Sequence, residues 1–72
     1  MPRSLWIADI AHEHDGTIIT LNDGSRWQVG PGDGPTTATW IPMDRVQLRG
    51  KGITRDLHNT AHGSTVRVMA TD

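Results

Sequence analysis

Apolar side chains fall two apart along this chain with polar residues between them: Ile19 and Leu21, Trp27 and Val29, Val46 and Leu48, Val66 and Val68. A strand points successive side chains to opposite faces, so each pair marks the inward side of a strand; a helix would gather apolar residues at every third or fourth position. Gly, Pro and the steps Asp-Gly, His-Gly and Asn-Asp interrupt the pattern at intervals shorter than an ordinary helix. Strands joined by turns are the prediction.

Register tests the alternation, because a slip of a single residue in pairing sends every side chain to the other face. A two-residue turn at Asp15-Gly16 sets His14 against Thr17, His12 against Ile19 and Ile10 against Leu21. Further on, a three-residue loop of Asn22, Asp23 and Gly24, with Gly24 left-handed, sets Ile19 against Trp27; a two-residue turn at Asp23-Gly24 would set it against Gln28. The longer loop keeps apolar residues together and is expected. Near the end, a four-residue loop of Thr60, Ala61, His62 and Gly63, closed by Asn59 and Ser64, places Leu57 opposite Val66.

Between these hairpins, Gly30-Pro31-Gly32-Asp33-Gly34-Pro35 lacks side chains to pack and ladder donors at its prolines, and predicts an exposed loop with neither strand nor helix. Thr39-Trp40-Ile41 reads as a short strand, Pro42-Met43-Asp44 as a turn, and Arg45 to Arg49 as a strand that Gly50-Lys51-Gly52 ends. The fold class is therefore all-β: five to six short antiparallel strands in a meander, hiding their edges by curling into a small SH3-like (or OB-like) barrel, one domain over residues 1–72. The mostly tight connections favour the SH3-like form. Its expected core is Ile10, Ile19, Leu21, Trp27, Val29, Trp40, Val46, Leu48, Leu57, Val66 and Val68, with Ala8 and either Trp6 or Ile7 from the first strand.

Composition limits what such a barrel is expected to do. With 72 residues the core is thin, and with no cysteine neither a disulfide nor a thiolate zinc site supports it. Self-association is the simplest remaining support, so a homo-oligomer is expected. A formal charge of −1 argues against bulk attraction to nucleic acid or an anionic membrane. The apolar stretch after Ser4 is broken by Asp9 and is too short for a signal peptide or a membrane span, which leads to the expectation of a cytoplasmic protein.

The segment Leu21-Asn22-Asp23-Gly24-Ser25-Arg26-Trp27-Gln28-Val29, followed by Asp33, Trp40, Pro42, Asp44 and Val46 and then by Leu57-His58-Asn59, resembles a group of small uncharacterised bacterial proteins. In these, D-G-S-x-W-x-V precedes W-x-x-x-D-x-V and an L-x-N hairpin. The likeness spans roughly residues 16–68 and implies a small barrel; it implies no activity, cofactor or partner. This chain departs from the group at Met43, where the group tends to have Gly before Asp.

Four histidines are the most unusual chemical feature. His12-Glu13-His14 on a strand projects both rings to one side, as metal binding by neutral imidazoles requires; a zinc ion there would lower the pKa of a bound water and make a hydrolase, with Asp15 better placed than Glu13 as its base. His58 and His62 are weaker candidates, since a spacing of four spans a hairpin here, with His58 outward beside Thr65 and His62 at the loop tip. The bland alternative is that all four are polar residues near turns. Arg26, Arg45, Arg49 and Arg67 share outward parity, so one face of the barrel is a candidate for single-stranded nucleic acid, with Trp6 or Trp40 as the stacking ring; the same arginines also serve as solubilising edge residues. Three function classes follow: a homo-oligomeric binding or assembly module with an unidentified ligand, a zinc-dependent hydrolase with its histidine site in one chain or at a subunit interface, and a single-strand binder.

Overall fold

The computed structural model describes residues 4–13 and 16–71. Six strands form: β1 Leu5–Glu13, β2 Gly16–Leu21, β3 Arg26–Val29, β4 Arg45–Arg49, β5 Thr54–Asn59 and β6 Ser64–Thr71. They close in the order β1-β2-β3-β6-β5-β4, every pairing antiparallel, as a small barrel of the SH3-like or OB-like kind. The expected meander holds within β1-β2-β3 and within β4-β5-β6, but the segment between β3 and β4 crosses the barrel, so β3 meets β6 and the ring shuts where β1 meets β4.

Two of the hairpins have the expected register. Ile19 stands opposite Trp27 across a loop in which Gly24 has φ +90, and Leu57 stands opposite Val66 with Asn59 facing Ser64. The first hairpin differs. It pairs Glu13 with Gly16, His12 with Thr17 and Ile10 with Ile19, two residues away from the expected alignment, so that Gly16 belongs to β2. A slip of two keeps every side chain on its face. Gly16 is needed for proximity as well as curvature: φ is +136, and a Cβ there would meet the Val29 carbonyl oxygen at 2.5 Å.

Below Asp9 the β1–β2 pairing jumps to Ile7 opposite Leu21, leaving Ala8 as the extra residue of a β-bulge. The bulge reverses the inward parity of β1. Ile7 is therefore fully buried and Leu5 packs against the core, while Ala8, expected inside, is exposed and Trp6 turns outward, half-buried. Ile7, Ile19, Leu21, Val29, Leu57 and Val68 form the centre, with Ile10 and Leu48 only partly covered.

The segment between β3 and β4 corrects two expectations. Pro31–Asp33 is a 3-10 turn and Gly34–Thr37 a single helical turn, because prolines at the start of a turn need no backbone donor. Thr39-Trp40-Ile41 is no strand, yet Trp40 is buried and its indole Nε1 donates to Ser64 Oγ at 3.1 Å. Among the described residues no helix is long and apolar enough to cross a membrane.

Candidate functional site

A side chain with three polar partners lies where the β3–β4 crossing enters β4. Pro42 fixes the first corner of the turn Ile41-Pro42-Met43-Asp44, and Met43 takes φ +80 at the second, closed by the Asp44 amide donating to the Ile41 carbonyl at 3.2 Å. The Asp44 carboxylate then accepts from the Ile41 amide at 3.1 Å, from Asn59 Nδ2 at 3.0 Å and from His62 Nε2 at 3.1 Å. Asn59 is fully buried, and its Oδ1 accepts from the Ala61 and His62 amides. One carboxylate thus ties the turn before β4 to the loop between β5 and β6. Burial works against its ionisation, but Asn59, the Ile41 amide and nearby His62 more than compensate and hold the Asp44 carboxyl below its ordinary value of 3.8.

His62 is the exposed member of this set, with 36% of its side chain open against 10% for Asp44. Its Nε2, held 3.1 Å from the Asp44 carboxylate, fixes the ring's orientation at the rim of the β5–β6 loop. His58 is committed elsewhere: its Nδ1 meets Thr65 Oγ1 at 2.7 Å on the outer face of β5. His12 faces the barrel mouth opposite buried Thr17, with Nδ1 at 3.2 Å from Thr17 Oγ1. Its candidate partners His14 and Asp15 lie outside the described residues. Among the described residues no three His, Asp or Glu side chains converge as a metal site would require.

The four arginines are all exposed, but they are distributed around the ring. Arg26 is on β3, the wall opposite β4, while Arg45 and Arg49 are on β4 and Arg67 is on β6. Asp56 stands opposite both Arg49 and Arg67 in the register and bonds Arg67 Nε at 3.4 Å; the Arg49 guanidinium instead donates to Gln47 at 2.8 Å. Of the three tryptophans, Trp27 and Trp40 are core residues and only Trp6 reaches the outer surface, directly across from Arg45. The braced turn, whose Met43 amide donates to the Ile7 carbonyl of β1, holds Ile41 59% and Met43 72% exposed. Trp6, Ile41, Met43 and Arg45 therefore all flank the β1–β4 junction, a grouping that parity alone did not reveal because it depends on the bulge at Ala8 and on a turn outside any strand.

No family model, curated protein or solved structure matches the chain. The residues that carried the likeness to small bacterial barrels have local structural work instead. Trp27 Nε1 donates to Ser25 Oγ at 2.9 Å, and Ser25 Oγ donates to Asp23 Oδ1 at 2.6 Å, so D-G-S-x-W is a hydrogen-bond relay that locks the β2–β3 loop. The Asp of the second segment and the Asn of the third are the bonded pair Asp44 and Asn59.

Proposed function

We propose that the protein is a small β-barrel binding module that works as a homo-oligomer, and that Trp6, Ile41 and Met43, flanking the β1–β4 junction with Arg45, form the shelf that receives its ligand. The observation that carries this reading is the exposure of Ile41 and Met43 on a turn fixed by the Asp44 carboxylate. Exposed apolar side chains on a braced support suit binding, since little ordering is left to be done on contact, and Trp, Met and Arg are residues that interfaces favour. The thin core supports the oligomeric half. An anionic apolar dye, 8-anilinonaphthalene-1-sulfonate, is the probe for the shelf. The folded protein binds it, and an Ile41→Ser/Met43→Gly variant of unchanged circular dichroism loses that binding. A folded wild type that leaves the dye dark refutes the shelf, and sedimentation as a monomer at micromolar concentration refutes the assembly.

A second reading, single-stranded nucleic acid on the same surface, is favoured by one observation: the half-exposed Trp6 stands across the strand pair from exposed Arg45. A base stacked on an indole beside a guanidinium is the usual element of such sites. Because Trp27 and Trp40 are buried, quenching of tryptophan emission by an oligothymidine reports Trp6. Salt-sensitive quenching supports this reading over the first, and unchanged emission at low salt removes it.

A further inference from the structure

Among the described residues, closure of the ring leaves two strand edges without partners. β1 meets β4 only through Leu5 opposite Val46 and Trp6 opposite Arg45, extended by the Ile7 amide to the Asp44 carbonyl and the Met43 amide to the Ile7 carbonyl. Above that seam, residues 9–13 of β1 pair only with β2, and residues 47–49 of β4 pair only with β5; no described backbone group bonds the far side of either stretch. Since β1 and β4 run antiparallel, the two stretches leave the seam in opposite directions. Neither can satisfy the other within one chain.

Their patterns are complementary. On β1, Asp9 and Ala11 point outward and half-buried Ile10 points inward; on β4, Gln47 and Arg49 point outward and half-buried Leu48 points inward. Antiparallel pairing between two copies sets Asp9 against Arg49, Ile10 against Leu48 and Ala11 against Gln47. A carboxylate then faces a guanidinium, and the two apolar side chains that the barrel only partly covers meet each other. Asp56, the carboxylate opposite Arg49 on β5, pairs with Arg67, and the Arg49 guanidinium donates to the neutral amide of Gln47, a partner that a carboxylate can displace. Pairing of β1 with a second β1 about Ala11 would oppose Asp9 to Glu13, two like charges, and is disfavoured.

We propose that the occupant of these edges is a second copy of this chain, with the β1 edge of one copy adding to the β4 edge of the next, head to tail. The proposal rests on the homo-oligomeric reading above and names the surfaces that build it. An arrangement of this kind uses both open edges of every copy, and it closes into a ring when the rotation between neighbours allows.

Charge exchange tests it on the full-length protein by sedimentation at low salt, with circular dichroism to establish folding. Asp9→Arg and Arg49→Asp each weaken association about tenfold or more, and the double variant Asp9→Arg/Arg49→Asp recovers it, because the opposed pair is restored with its signs reversed. Amide exchange gives a readout that needs no variant: protection at residues 47–49 rises with protein concentration. An oligomer whose size and amide protection ignore these changes overturns the edge pairing and leaves the homo-oligomer standing. A monomeric wild type overturns both.

Discussion

Replacing Met43 by glycine should make this protein more stable, although it removes a large side chain. Met43 sits at φ +80 in the second corner of the turn before β4, where an L side chain crowds its own backbone. Such strain costs on the order of 1–3 kcal/mol. Against the relief stand the extra freedom of glycine in the unfolded chain, roughly 0.5–1 kcal/mol, and the loss of the small part of the side chain that the fold covers, since 72% is exposed. Full burial of a methionine is worth about 1.5–3 kcal/mol, so this last loss is about 0.5 kcal/mol. The balance, taken at the middle of each range, is a gain of about 0.7 kcal/mol, which in a domain this small raises Tm by about 3–6 °C. Met43→Ala keeps the strained backbone and loses the same cover, so it should fall slightly below wild type. Urea titrations followed by the emission of Trp27 and Trp40 compare the three proteins. If Met43→Gly is no more stable than Met43→Ala, the turn is not strained in the way described.

The remaining predictions concern the same closure and the first hairpin. Asp44 is more acidic in the folded chain than its ordinary 3.8, so its contribution to stability is full above that pH and is lost as pH falls through the lower folded value; urea midpoints should drop in that window more steeply for wild type than for Asp44→Asn, and parallel pH profiles would contradict it. Asn59→Ala removes a donor from Asp44 and an acceptor from the Ala61 and His62 amides, and should cost about 2–3 kcal/mol by chemical denaturation; a loss within ~0.5 kcal/mol would mean the buried amide is replaceable by water. Gly16→Ala places a Cβ at 2.5 Å from the Val29 carbonyl at φ +136, and should lose at least ~2 kcal/mol; a near-neutral result would show that β2 and β3 part easily at their start.

The barrel was legible because its signals are local. Alternation names the inward residues of β2, β3, β4 and β6, and Gly24 and Gly63 stand at the positive φ values that their hairpin loops require. What sequence could not show depends on contacts between distant segments. The bulge at Ala8 reverses the parity of β1, and no residue type announces it. Gly16 looked like a turn glycine, but the constraint on it comes from β3, which passes close behind. The Asp44 cluster joins residues that read separately as a turn, a motif asparagine and a loop-tip histidine. For the candidate site the legible part was parity: His58 beside Thr65 and four outward arginines were readable, whereas the outward position of Trp6 was hidden behind the bulge.

The shortness of the β1–β4 seam also sets how this molecule fails. Among the described residues two ladder pairs and two further backbone bonds hold that junction, against six pairs between β1 and β2 and six between β5 and β6. Thermal agitation therefore parts the cylinder there first, and it flattens into an open ribbon of six strands that still keeps its other ladders. Ile7 and Val46 are then bared to water together, beside backbone groups looking for partners. The Asp44 backbone carbonyl, which accepts from the Ile7 amide at 3.0 Å, is one of the bonds that this parting must break.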